Sequence, residues 1–155
     1  EYFRGSGHAV RLIEFLDVGN SNRWSESKVV PGHEWLRRIH ERWPLRPLES
    51  RHEAETAKRY VYEDGEGEIG LINSITEPFC GHCNRVRVTA DGNMYTCLFS
   101  SSGVPLRPLL RDGCESSQLK QVIHDAWAGR DDRYSETRRP GKECGAGLEM
   151  YRMGG

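Results

Sequence analysis

The residues with the clearest chemistry lie in one run, Pro78-Phe79-Cys80-Gly81-His82-Cys83-Asn84-Arg85. Two cysteines stand two residues apart, and a third, Cys97, follows fourteen residues after the second. Cys-x-x-Cys serves three chemistries: a redox dithiol, a zinc clasp, or a seat for an iron–sulfur cluster. The dithiol works with its first cysteine at a helix N-terminus, where the local field lowers the thiol pKa. Here the residues after Cys83 read NRVRVTADGNMYTCLF. Val86 and Val88 alternate with Arg85 and Arg87, and Asp91-Gly92 is a turn signal. That pattern predicts a β-hairpin and no helix, which argues against the redox reading.

The hairpin sets which side chains can meet. Take a three-residue loop, Ala90-Asp91-Gly92, with Gly92 at positive φ. Arg87 then faces Tyr95 and Arg85 faces Cys97, and cross-strand partners project to one face. That face carries Cys83, Arg85, Arg87, Tyr95 and Cys97. The other carries Val86, Val88, Met94 and Leu98 and is expected to cover a core. A two-residue loop sends Cys97 to the opposite face, so a shared metal requires the longer loop. Cys80 converges on the same point through its Cys-x-x-Cys turn. Structural zinc takes four closed ligands, so a zinc site also needs His82, Cys114 or Cys144. A [4Fe–4S] cluster on three cysteines keeps one iron open to substrate. Arg85 and Arg87 suit bidentate recognition of phosphate, although two arginines alone are more often a solvated strand face.

The elements that position these residues read as follows. Val10 to Val18, VRLIEFLDV, is almost wholly apolar and predicts a strand buried on both faces. A helix is predicted after Pro31 over GHEWLRRIHERW, with Trp35, Leu36, Ile39 and Trp43 at helical spacing and Pro44 ending it. Ala57 to Tyr62 and Glu68 to Thr76 read as strands joined by the EDGEGE turn. ESSQLKQVIHDAWAGR is a further helix, with Leu119, Val122, Ile123, Ala126 and Trp127 on one face. Arg130 to Lys142 shows no periodicity and reads as a loop or extended arm. The expected fold class is α+β: one inner strand within residues 1–20, then a small domain over 21–155 with an antiparallel sheet and helices. His8 reads as a packed or turn histidine, and Asp17 as a strand-end hydrogen bond.

Composition excludes several function classes. The chain has 22 basic and 23 acidic residues, a net charge of −1, which predicts no general grip on nucleic acid or membrane. No apolar run reaches bilayer-spanning length. The five cysteines are odd in number and three are clustered, which fits a reducing compartment, the cytoplasm, over a disulfide framework. The opening EYFRGSGHAV has neither an initiator Met nor a signal-peptide pattern, and reads as part of something longer.

GEIGLINSITEPFCGHCNRVRVTADGNMYTCLFS, FRGSGHAVRLIEFLDVGNSNRW and the terminal Gly154-Gly155 resemble the GTP 3′,8-cyclase family of molybdenum cofactor biosynthesis. The resemblance covers essentially the whole chain. It implies a lyase of the radical S-adenosylmethionine class, built on an incomplete (β/α) barrel whose last strand lies in residues 1–20. By that resemblance Cys80, Cys83 and Cys97 are ligands of a C-terminal [4Fe–4S] cluster that meets the purine of GTP. Arg85, Val86 and Arg87 match the segment that binds GTP, and Arg11 matches a further arginine that contacts it. Leu16 stands where the family usually has a methionine touching S-adenosylmethionine. Gly154 and Gly155 match a tail that enters the active site and supports catalysis.

The family reaction implied is abstraction of the ribose 3′ hydrogen of GTP by a 5′-deoxyadenosyl radical, followed by attack of that ribose carbon on C8. The intact enzyme needs S-adenosyl-L-methionine and a second [4Fe–4S] cluster on a Cys-x-x-x-Cys-x-x-Cys motif. That motif does not occur in these 155 residues. The chain alone is therefore expected to bind GTP without generating a radical. A homodimer is one option for the intact enzyme. The competing reading is a zinc-stabilised, non-catalytic binding module derived from the same fold.

Overall fold

The computed structural model describes residues 1–19, 22–138 and 148–153. The fold is α+β, and the chain divides into two compact units. The first comprises Glu1–Leu16 and Ser25–Cys83; the second comprises Asp17–Trp24 and Asn84–Gly155. Among the described residues no helix is long and apolar enough to cross a membrane.

The first unit is a four-stranded sheet covered on one face by a helix. Strands β1 (Val10–Ile13), β2 (Leu45–Pro47), β3 (Lys58–Tyr62) and β4 (Glu68–Ile72) lie in the order β1-β4-β3-β2. β1 runs parallel to β4, and the other pairs are antiparallel. Helix α1 (Gly32–Arg42) starts just after Pro31, whose fixed φ suits a helix entry, and ends before Pro44, which has no N–H to continue it. Alternation along the strands sends Leu45, Tyr62 and Ile69 to the helix side, where Leu36, Ile39 and Trp43 pack on them. Ile69 and Leu71 are essentially inaccessible to solvent, each contributing roughly 1.5–3 kcal/mol by burial.

β1 is shorter than the apolar run suggests. It ends at Ile13, and Arg11 and Ile13 face solvent, so it is not buried on both faces. The physical reason is Glu14. Its side chain has no solvent exposure, and the chain turns there to bring the carboxylate into contact with backbone donors. Oε1 accepts from Gly32 N–H at 2.8 Å and from the Thr76 hydroxyl at 2.6 Å. Oε2 accepts from Ile75 N–H at 2.8 Å and Thr76 N–H at 2.9 Å. One carboxylate thus joins the end of β1, the first turn of α1 and the segment after β4.

In the second unit, β5 (Arg87–Val88), β6 (Asn93–Tyr95) and β7 (Val104–Pro105) form an antiparallel sheet in that order. Helices α2 (Arg107–Arg111) and α3 (Ser116–Ala128) follow. β2, β7 and α2 were not anticipated, being too short to show a period of their own. A third helix, α4 (Tyr134–Thr137), interrupts the stretch expected to be a loop or extended arm. α3 matches the expected helix, but Ile123 is 37% exposed and its apolar stripe is narrower than the sequence pattern.

Replacing Glu14 with Gln keeps the volume but points an NH2 group at N–H donors. Leaving buried donors unpaired is expected to cost about 3 kcal/mol. Urea unfolding of Glu14→Gln checks this, and an unchanged midpoint contradicts it.

Candidate functional site

In the first unit, Cys80, Gly81 and His82 form a 3-10 turn closed by Cys83 N–H donating to Cys80 C=O at 3.1 Å. Cys80 and Cys83 are half-buried and His82 is exposed. The turn begins four residues after Thr76, where the Glu14 carboxylate fastens the chain. Leu16 is half-buried in the same unit.

Arg11 lies on the sheet face opposite α1. It pairs across the strands with Gly70, and Gly70 pairs with Arg59 on its other side. Arg11 and Arg59 therefore flank β4 on one face. Glu68, two residues along β4, reaches both: Oε1 is 2.8 Å from Arg11 Nη2, and Oε2 is 3.3 Å from Arg59 Nη1. Arg59 is 8% exposed and donates to Glu49 C=O at 2.8 Å. Its Nε lies 2.8 Å from Glu55, but the N–H is not aimed at the oxygen, so that contact is coulombic. The Arg51 N–H, and after it the Arg59 charge, hold the Glu55 carboxyl below its ordinary pKa. Residue types alone did not point to Glu68 and Arg59. The strand register is the signal that could have found them.

In the second unit the hairpin has the three-residue loop. Arg87 pairs with Tyr95, Val88 with Met94, and Gly92 has φ +81. The Thr89 hydroxyl donates to Asp91, and with Asn93 it holds the Asp91 carboxyl below its ordinary pKa. The ladder stops at Arg87 and Tyr95, so Arg85 and Cys97 lie beyond its end and are not a strand pair. The expected apolar inside and polar outside hold only in part: Met94 is 2% exposed and Leu98 half-buried, as expected. Val86 and Val88 are 46% and 57% exposed, while Arg85, Arg87 and Cys97 are half-buried and Tyr95 is buried. β7 and Gly103 explain this: the Tyr95 ring occupies the space a Cβ at Gly103 would need.

The chain bends at Cys97, and the bend is fixed on both sides. Thr96 and Ser100 hydroxyls both donate to Asp132, and Phe99 N–H donates to Cys97 Sγ at 3.5 Å. Asp17, 4% exposed, receives Arg138 in a fork, Nε at 3.0 Å and Nη2 at 2.5 Å, and the Tyr134 hydroxyl at 2.8 Å. Phe99 stacks on Tyr134 with centroids 4.3 Å apart. The guanidinium lies within 6 Å of the Trp24, Phe99 and Tyr134 rings. Asp17 is thus a buried ion-pair anchor rather than a strand-end hydrogen bond.

Cys80, Cys83, Cys97 and Cys114 are half-buried and none is in a disulfide. By type these thiols suit an iron–sulfur cluster or zinc. Among the described residues, no group of three or more His, Cys, Asp or Glu is gathered as a metal site. Cys144, Gly154 and Gly155 lie outside the described residues.

The sequence model described as Molybdenum Cofactor Synthesis C matches residues 8–136. A protein named GTP 3′,8-cyclase from Xanthomonas axonopodis pv. citri is 45% identical over 155 residues, 100% of this chain and 46% of the relative. One of the same name from Synechococcus sp. strain CC9605 is 49% identical over 152 residues, 98% of this chain and 43% of the relative. A third, from Acidothermus cellulolyticus, is 45% identical over 141 residues, covering 88% and 39%. The chain spans about half the length or less of these curated relatives. The matched span includes β1, the cysteine turn, the arginine hairpin and the bend at Cys97, and on that match the chain belongs to the Molybdenum Cofactor Synthesis C family.

Proposed function

We propose that this chain is the part of a GTP 3′,8-cyclase that holds the nucleotide. The observation that carries this reading is the 45% identity across all 155 residues to a protein of that name. In the intact enzyme the reaction converts GTP to (8S)-3′,8-cyclo-7,8-dihydroguanosine 5′-triphosphate. Radical generation from S-adenosyl-L-methionine falls to residues outside these 155, which hold no Cys-x-x-x-Cys-x-x-Cys. The chain alone is accordingly inactive.

Cys80, Cys83 and Cys97 are the proposed ligands of a [4Fe–4S] cluster. When bound, the cluster supplies a Lewis-acidic iron that seats the purine. Arg85 and Arg87 are both half-buried, spaced about 7 Å along an extended chain, and separated by exposed Val86. Partial burial reduces competition from water, so their guanidinium forks grip phosphate more firmly than fully solvated ones. Arg11 provides a further cation for the nucleotide. Leu16 offers apolar packing at the S-adenosylmethionine position, without a thioether. Gly154-Gly155, with no side chains, form a tail slim enough for a narrow cleft. The work of these residues is to hold GTP in one orientation, which lowers the entropic part of the barrier.

Anaerobic reconstitution with iron and sulfide is expected to load about four irons per chain. The visible absorption should disappear in Cys80→Ala, Cys83→Ala and Cys97→Ala and survive in Cys114→Ala. Stoichiometric zinc with no uptake of iron contradicts the cluster.

Arg85→Ala or Arg87→Ala is expected to weaken GTP binding by roughly 1.5–3 kcal/mol per lost charge-assisted contact. Guanosine binding should change far less. Calorimetric titration with both ligands checks this, and equal losses show that these arginines do not read phosphate.

A further inference from the structure

We propose that Glu68, clamped by Arg59, is the positioning residue that holds the Arg11 guanidinium ready for the anionic part of the nucleotide. This rests on the reading of Arg11 as a nucleotide contact and adds to it a device that sets the arginine's place.

The device follows from three strands in register. Arg11, Gly70 and Arg59 are successive partners across β1, β4 and β3. Gly70 is the only residue between the two arginines, and its lack of a side chain opens a lane across β4. Arg11 lies in that lane: a Cβ on Gly70 would stand 2.6 Å from Arg11 Cδ and 2.9 Å from Nε. The lane leads to Glu68, whose two oxygens divide between the arginines, Arg11 at 2.8 Å and Arg59 at 3.3 Å.

Exposure falls from Arg11 through Glu68 to Arg59. These side chains are 34%, 21% and 8% exposed, and Glu55 behind Arg59 is 14% exposed. Arg59 is anchored at the closed end by Glu49 C=O and by Glu55. The carboxylate is therefore fixed from behind, and the solvent-facing end of the row is a cation. Guanidinium carries five N–H donors. Arg11 commits Nη2 to Glu68 and makes a marginal 3.5 Å contact from Nη1 to its neighbour Val10 C=O, which leaves donors for an anion arriving from solvent.

Two effects of Glu68 oppose each other. Its negative charge lowers the potential at Arg11 and disfavours an anion. Its hydrogen bond immobilises a long side chain before the ligand arrives. For a pair this exposed the charge effect is at most about fivefold in affinity. Freezing an arginine accounts for up to about thirtyfold. Ordering is the larger effect, so loss of Glu68 should weaken nucleotide binding rather than strengthen it.

The test is a double-mutant cycle on the chain reconstituted with iron and sulfide, using GTP as the probe in calorimetric titration. Arg11→Ala is expected to weaken GTP binding about tenfold or more. Glu68→Ala should weaken it by several-fold to tenfold, and Glu68→Ala should add nothing in the Arg11→Ala background. Gly70→Ala displaces only the flexible Arg11 side chain and should reproduce the Glu68→Ala loss with both charges retained. The Arg11 Nε–Hε resonance should be sharp in the parent and broaden in Glu68→Ala and Gly70→Ala, which a purely structural role of Glu68 does not predict. Binding of GTP by Glu68→Ala as tight as the parent's, or an equal loss in the Arg11→Ala background, overturns the proposal. A silent Arg11→Ala alongside weakened Arg85→Ala and Arg87→Ala overturns it while leaving the nucleotide reading intact. Silence at all three arginines removes both.

Discussion

The fastening of the Glu14 carboxylate is the constraint on which the first unit depends. A carboxylate with no solvent exposure is costly unless its oxygens are fully engaged, and here four donors engage them. Those donors come from the start of α1 and from Ile75 and Thr76, just ahead of the cysteine turn. Gly32 is part of the same arrangement, because any side chain there would collide with Asn73. The position of Cys80 and Cys83 is therefore set by an acid that takes no part in the proposed binding of nucleotide.

The second unit repeats the principle with Asp17. A forked arginine and a tyrosine hydroxyl satisfy this buried carboxylate, and three aromatic rings surround the guanidinium. Breaking such a pair by removing one partner leaves a buried charge and is more damaging than the pair is stabilising. Asp132 does related work at the bend, receiving hydroxyls from both sides of Cys97. In both units, then, the cysteines expected to hold the cofactor sit on short irregular segments. Buried or half-buried acids give those segments the rigidity that regular secondary structure does not.

Local chemistry was legible in the sequence, and tertiary chemistry was not. The hairpin loop followed from Asp91-Gly92 and the alternation on either side, because turn geometry is decided within a few residues. α1 and α3 followed from apolar spacing and flanking prolines or glycine. Burial within the hairpin followed only in part: Met94 is buried as expected, but the burial of Tyr95 depends on β7 and Gly103, which lie outside the hairpin. The run Val10–Val18 misled for a similar reason: Glu14 and Asp17 are buried there only because donors from far along the chain meet them. The three cysteines and two arginines could be named as candidates from residue type and spacing. Glu68 and Arg59 could not, since an ordinary Glu and Arg acquire meaning only once Gly70 is known to lie between Arg11 and Arg59.

The central claim is that this chain holds GTP through a cluster on Cys80, Cys83 and Cys97 together with its arginines. Equilibrium dialysis of GTP against the chain, with and without anaerobic loading of iron and sulfide, tests it most directly. The account predicts saturable binding of one GTP per iron-loaded chain and much weaker binding by the metal-free chain. Binding of equal strength in both forms, or none in either, contradicts it.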